Sequence, residues 1–297
     1  MRAITINGFG DVPRLTDQPV PEPGAGVIQV AVEAAATNPL DLAIASGSLK
    51  AIGEYRFPLT LGMDGAGVVT AVGEGVTEFR VGQRVFGQFW GRPLRSGTFA
   101  EVAVVEATPA FGALTTIPDG VPSHVAAALP TSGMTALGAL EHLRIPDGGT
   151  LLVIGGPGGV GSFALQLARA AGHEVVATAS NADQLHDMDV EVVLRGTEPL
   201  DDVVRRTSPD AVLDTVGDRE VMRRVKAALK DGATVLSTAF GLDDPALDYR
   251  LDRKPERLEA VSGLQPLVGL EVPLEDAPRV LTGELRSPRG KTVLRVA

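Results

Sequence analysis

Over the first 118 residues, apolar positions recur at a spacing of two in short runs broken by glycine and proline: AITI (3–6), VIQVAVEAAA (27–36), GAGVVTAVG (65–73), QRVFGQF (83–89) and FAEVAVV (99–105). A period of two puts successive side chains on opposite faces of a strand, and the punctuating residues supply turns, so this half predicts a β-rich domain. The pattern changes near IPDGVPS (117–123). There Ser123 can cap a helix through HVAAAL (124–129), and a second stretch of helical period from Ser132 to Leu143 is stopped by Pro146, Gly148 and Gly149.

Strand and helix then alternate. TLLVIGG (150–156), EVVATAS (174–180), VEVVL (190–194), AVLDTVG (211–217) and ATVLSTAFG (233–241) read as buried strands. SFALQLARAAG (162–172), a short helical stretch after 180, the segment from Leu200 to Thr207, and REVMRRVKAALKDG (219–232), closed by a glycine C-cap, read as the helices between them. Alternation at these lengths predicts βαβ units and a parallel sheet with helices on both faces. From about Leu264 the punctuated β style returns and ends in KTVLRV (291–296).

Composition narrows the function. A chain of 297 residues with 44% hydrophobic and 22% charged positions is globular, and 27 basic against 37 acidic residues give a net charge of −10, which disfavours nucleic acid and anionic membrane as partners. Cysteine is absent, which removes disulfides, iron–sulfur clusters, thiol catalysis and thiolate zinc sites. With no apolar stretch of spanning length and no leader-like start, a cytoplasmic location is the default expectation. The four histidines, His124, His142, His173 and His186, have no ligand-like spacing and read as surface or capping residues.

The chemistry lies in Gly156-Pro157-Gly158-Gly159-Val160-Gly161, placed after a strand and opening a helix. Gly156 suits a tight turn, Gly158 a close approach of backbone to a pyrophosphate, and Gly161 the packing of helix on strand, with the helix N-terminus facing the anion. An acidic residue at the end of the next strand would accept the ribose hydroxyls of NAD. Here Thr178, Ala179, Ser180 and Asn181 stand in its place, so Ser180 leaves room for a 2′-phosphate and NADPH is the expected cofactor. Asp183, just beyond, is a solvated helix-start residue or, turned inward, a group that would repel that phosphate.

From this motif outward the chain resembles the zinc-independent quinone oxidoreductase branch of the medium-chain dehydrogenase/reductase superfamily. The resemblance is carried by TNPLDLAIASGSL (37–49), the run from Phe57 to Gly87, SGTFAEVAVV (96–105), LPTSGMTALGAL (129–140), the glycine motif, LDTVG (213–217), LQPLVGLEVPLEDAPRVL (264–281) and RGKTVL (289–294). It implies an α/β protein with a GroES-like β-barrel catalytic domain (1–120 and 262–297). It also implies an inserted Rossmann cofactor-binding domain (121–261), a doubly wound parallel sheet shortened at its last strand and helix. Zinc-dependent relatives place their ligands where this chain has Asn38, Met63 and Asp64, a set that implies no metal.

The same matching places Asn38 and Asp41 at the nicotinamide end and Thr131 and Thr135 near its carboxamide and phosphates. Val216, Gly217, Thr238 and Phe240 fall along the strand ends. Helix capping or packing explains either threonine alone equally well. Where relatives hold the 2′-phosphate with a lysine and a tyrosine, this chain has Asn181 and Arg195, so Arg195 is either a phosphate clamp or a solvated loop arginine. The tyrosines of many relatives are missing after Asn38, which leaves Tyr55 as the one nearby candidate acid, and Phe57, Phe89 and Trp90 as pocket walls or ordinary core.

Between STAFG (237–241) and LQPLVG (264–269) only about two dozen residues intervene, so the sheet should be shortened there, with 249–261 a remnant strand or helix and the protein a monomer or an unconventional homodimer. The expected activity is NADPH-dependent hydride transfer to a quinone or a conjugated carbonyl. A zinc-free alcohol or aldehyde reductase and a low-turnover NADP(H)-binding sensor remain as alternatives.

Overall fold

The computed structural model describes residues 1–91, 93–239 and 253–297. The described chain forms two compact units, one of 1–91, 93–131, 253–263 and 268–297, the other of 132–239 with 264–267. The helix Ser123–Ala127, just beyond the expected boundary at 120/121, packs in the first unit. Its Ala126 and Ala127 are fully buried, and Arg84 donates to the Val121 carbonyl at 2.9 Å. Ser123 is the first helical residue, not the cap. Pro122 takes that place, and the Ser123 hydroxyl is bonded to the Glu33 carboxylate instead.

In the first unit, seven strands make one sheet. Val268–Pro273, Lys291–Arg295, Val27–Ala36, Asp64–Val72, Arg84–Gln88 and Leu114–Thr116 lie in that order, and Val102–Glu106 also pairs with Val27–Ala36. All these pairings are antiparallel except that of Val268–Pro273 with Lys291–Arg295. Along Val27–Val32 buried and half-buried positions alternate, as a strand with one face on the core requires. A small second sheet joins Arg14–Asp17, Arg2–Ile6 and Leu59–Thr60. The unit's core gathers Ile4, Ile28, Leu59, Phe89 and Phe99 from both sheets, together with Leu294 from the C-terminal strand.

The second unit holds five parallel strands in the order Glu191–Leu194, Glu174–Ala179, Thr150–Ile154, Ala211–Asp214, Thr234–Ser237, which is 3-2-1-4-5 in sequence. Among the described residues the sheet ends at Thr234–Ser237, and the shortening expected between 241 and 264 falls largely on residues outside those described. The helices Gly159–Ala170, Leu200–Thr207 and Arg219–Ala228 alternate with the strands, and Leu152, Val212, Met222 and Val225 fill the core between them. Arg219–Ala228 does not end in a glycine cap: Leu229 leaves the helix in an extended conformation, and Gly232 takes the left-handed turn three residues later. Of the remnant at 249–261, residues 253–261 are described and contain the helix Pro255–Val261, which belongs to the first unit. No described helix is long and apolar enough to cross a membrane.

Candidate active site

In the second unit strand order reverses between Thr150–Ile154 and Ala211–Asp214, and in open parallel sheets the carboxyl ends beside such a reversal form a ligand crevice. The glycine turn follows the first of these strands. Gly155 takes the left-handed conformation (φ +90°), so the conformational demand falls one residue before Gly156. Thr178 and Thr215 pin this turn from the neighbouring strands. The Gly155 N–H donates to Thr178 Oγ1 at 3.0 Å, the Gly156 N–H to the Thr178 carbonyl at 3.1 Å, and Thr215 Oγ1 donates to the Ile154 carbonyl at 2.9 Å.

A Cβ on Gly161 would lie 2.3 Å from the Gly155 carbonyl oxygen and 2.7 Å from that of Gly156, so only glycine lets the helix sit on the turn this closely. Gly158 is the N-cap, and the first N–H to enter the helical ladder is that of Ser162, bonded to the Gly158 carbonyl at 2.9 Å. The amides of Gly159, Val160 and Gly161 therefore precede the ladder at the positive end of a 12-residue helix.

At the next strand end Arg195 Nη2 donates to Ser180 Oγ at 2.7 Å, and the Arg195 N–H bonds the Ala179 carbonyl at 2.8 Å. The Ser180 and Asn181 amides are both held by Gln184 Oε1. Asp183 is exposed at the start of the short 3-10 turn Ala182–Leu185.

On the other side Asp214, nearly fully buried, organises the turn to Gly217. Its Oδ1 accepts from the Val216 N–H at 2.9 Å, and its Oδ2 accepts from the Gly217 N–H at 3.1 Å and the Ser237 hydroxyl at 2.7 Å. Thr238 bonds the Asp214 carbonyl through its N–H at 2.9 Å, Val216 is exposed, and Thr135 is buried on the helix Pro130–Leu143. Phe240 lies outside the described residues.

In the first unit the Asn-Pro-x-Asp stretch opens the helix Pro39–Ala45. The Asp41 carboxylate caps its own helix by accepting the Asn38 N–H at 2.7 Å. Asn38 Nδ2 donates to Asp64 Oδ2 at 2.9 Å, and Asp64 also accepts the Thr131 N–H at 3.0 Å and the Thr131 hydroxyl at 2.6 Å. Gln88 Nε2 donates to Thr131 Oγ1 at 2.5 Å. Lys291, from the far end of the chain, donates to Asn38 Oδ1 at 2.5 Å and to the Thr37 carbonyl at 2.9 Å.

The Asn38 amide is thus engaged at both ends inside the unit, and what it does here is brace the loop. Asp41 is wholly buried, with Oδ1 lacking a hydrogen-bond partner. Burial pushes its carboxyl up to about 7, helped by the charge of Asp64 and opposed by the Asn38 N–H and by Lys291.

The zinc-ligand positions of metal-dependent relatives do not fit a metal. Asn38 and Asp64 bond each other, the Lys291 ammonium already supplies the positive charge, and Met63 is packed into the core. Tyr55 donates its hydroxyl to the Leu49 carbonyl at 2.8 Å and meets Phe9 edge-on, and burial raises its pKa. Phe89 and Trp90 are enclosed in the core, Phe89 with 0% exposure, directly after a strand buried on both faces. Of the three expected walls Phe57 alone has an open face.

Sequence reasoning missed Asp214, Thr215 and Lys291. Asp214 and Thr215 stand inside the LDTVG run, two residues and one residue before the first of those chosen, whereas Lys291 carries no local signal, its partners lying some 250 residues away.

A parallel sheet with a glycine turn at its strand reversal, carried on a chain with a second, largely antiparallel unit, is an architecture that oxidoreductases use. Residues 24–118 match the family model described as alcohol dehydrogenase GroES-like domain, and residues 159–258 the one described as zinc-binding dehydrogenase. The chain belongs to the medium-chain dehydrogenase/reductase superfamily.

Among solved structures it is similar to the quinone oxidoreductase from Coxiella burnetii, with a TM-score of 0.87 and 27% identity, covering 100% of this chain and 99% of that one. It is likewise similar to a mycobacterial protein solved in complex with NADPH, with a TM-score of 0.80 and 28% identity over 100% of both chains. Among curated proteins it is 38% identical over 244 residues to a mycocerosic acid synthase-like polyketide synthase of Mycobacterium tuberculosis. That match takes in 79% of this chain and 11% of the synthase, so the chain spans about a tenth of that relative's length. It is 29% identical over 277 residues to 2-methylene-furan-3-one reductase of Solanum lycopersicum, covering 88% of this chain and 68% of that protein.

Proposed function

We propose that the protein is a zinc-independent, NADPH-dependent reductase that delivers hydride to the alkene of a conjugated carbonyl or to a quinone. The observation that carries the reading is the paired cradle at the strand ends. Three amides ahead of the helical ladder offer donors to a pyrophosphate, and the Ser180–Arg195 pair offers a hydroxyl and a guanidinium where an NAD enzyme would carry a carboxylate. Gly156, Pro157, Gly158, Gly159, Val160 and Gly161 would line the pyrophosphate. Val216, Gly217 and Thr238, set by Asp214, would border the ring end together with Thr135, and Thr131 is a further proposed cofactor contact.

When bound, the dihydronicotinamide supplies the hydride. The chain's residues hold and orient it and keep water from competing. A mycobacterial neighbour solved with NADPH supports the cofactor. The tomato relative's name describes a ring ketone conjugated to an exocyclic methylene, which favours the alkene of an enone as the reducible bond. No side chain among the described residues stands out as the acid. Tyr55, its hydroxyl spent on Leu49, and the deeply buried Asp41 are both occupied with structure, so water is the proposed proton source for the enolate.

The test is NADPH oxidation, followed by loss of nicotinamide absorbance, against a panel of quinones and enones with NADH in parallel. Turnover of an enone with NADPH at least about tenfold above NADH supports the reading. Absence of NADPH binding overturns it.

A further inference from the structure

Lys291 lies outside the cofactor cradle and is 4% exposed. An ammonium so deeply buried persists only where its charge and its N–H groups are matched. Its Nζ donates to Asn38 Oδ1 and to the Thr37 carbonyl and stands 4.0 Å from Asp64 Oδ2. Asp64 and Lys291 therefore grip one amide from its two ends, the carboxylate at Nδ2 and the ammonium at Oδ1.

Asp64 accepts three further-reaching hydrogen bonds in all, from Asn38 Nδ2 and from the Thr131 N–H and hydroxyl, a set suited to the anion. A protonated carboxyl would give one of these positions to its own hydrogen and turn the Thr131 hydroxyl away. Burial pushes the Asp64 carboxyl up and the Lys291 charge opposes that. Burial pushes Lys291 down, and Asp64 and Asp41 oppose it. The charged groups acting on this amide are thus Asp41 on the helix Pro39–Ala45, Asp64 on its strand and Lys291 on the C-terminal strand.

We propose that Lys291 is a positioning residue of the reductase: it fixes the Asn38 amide directly and, through its ion pair with Asp64, fixes the N–H and hydroxyl of Thr131. Its effect on turnover rests on the proposed function, but its effect on the network does not. Trp90, the sole tryptophan, is buried, and its backbone N–H bonds the carbonyl of Gln88, whose Nε2 holds Thr131 Oγ1, so its emission is the optical probe tied to the network in the cofactor-free protein.

The experiment compares wild type, Lys291→Met and Lys291→Met/Asp64→Asn from about pH 6 to 9, by thermal unfolding, Trp90 emission and NADPH turnover. Without the ammonium, folded Asp64 keeps a proton that the unfolded chain releases, so Lys291→Met should lose Tm by a widening margin as pH rises. Its Trp90 emission should shift over the same range, and kcat should fall about tenfold or more with KM for NADPH changed less than about twofold. Asparagine at 64 keeps a carbonyl for Asn38 and the Thr131 N–H and offers an N–H to Thr131 Oγ1, so the double variant should regain Tm and emission.

A Lys291→Met protein that tracks wild type in Tm and emission at every pH, or a double variant no better than the single, overturns the proposal. A wild type that binds NADPH but reduces no acceptor counts against the reductase reading alone, since unfolding and emission still decide the role of Lys291.

Discussion

Arg195 reaches across the carboxyl ends of two neighbouring parallel strands to donate to the Ser180 hydroxyl at 2.7 Å. Both side chains are exposed, so the bond adds little to stability. Its use is to hold a guanidinium ready for a phosphate, a charge-assisted contact worth about 1.5–3 kcal/mol. Arg195→Ala should therefore weaken NADPH binding about 10- to 100-fold by calorimetry and leave NADH within about twofold. Equal losses for both cofactors would remove the clamp.

The complementary change puts back the missing carboxylate. Ser180→Asp should accept ribose hydroxyls and repel a 2′-phosphate, moving the ratio of kcat/KM for NADPH over NADH by at least about tenfold toward NADH. An unchanged ratio would mean that the 2′-position is read elsewhere.

Gly161 tests the turn itself. Alanine there would bring its Cβ to 2.3 Å from a backbone oxygen, and that oxygen belongs to a residue pinned by Thr178, so the helix must shift. Overpacking of this kind costs about 1–3 kcal/mol. Gly161→Ala should lower stability by that amount in urea unfolding and weaken both cofactors alike, in contrast to the selective effect at Arg195.

Asp41 sets a pH dependence whose sign is fixed by burial. Its carboxyl is raised to about 7 in the folded protein, so between the ordinary aspartate value and that pH the folded state holds a proton the unfolded chain has lost. The stability it contributes is fully present below the unfolded value and is lost as pH rises through about 7, a change on the order of 4 kcal/mol. Asp41→Asn should flatten this part of the curve. The difference between the two proteins' unfolding free energies, measured by urea titration from about pH 4 to 8, isolates it. Parallel curves would refute it.

Local patterns carried much of the architecture. The alternation in Val27–Ala36 and the strand-glycine-helix order at 150–170 could be read directly, because period and punctuation are properties of neighbouring residues. The end of Arg219–Ala228 could not: Gly232 looked like its cap, but the helix finishes earlier and the glycine serves the following turn. Aromatic residues could not be sorted into wall and core, since Phe89 and Phe57 differ only in what the rest of the chain lays over them. The Lys291–Asn38 contact joins residues 253 apart, and no window along the sequence contains both.

The pairing of Lys291–Arg295 with Val27–Ala36 also separates the order of synthesis from the order of completion. A ribosome delivers the second unit's five strands, 150–237, well before it delivers residue 291, so the Rossmann sheet can close while the sheet begun at residue 27 still lacks its next-to-edge strand. Until that strand arrives, Ala34, Ala35 and Ala36 lack the strand that pairs with them, and Asp64 is a nascent carboxylate without its counter-ion. The first unit to begin is the last to finish, and its vulnerable interval on the ribosome is set by the time needed to make the other.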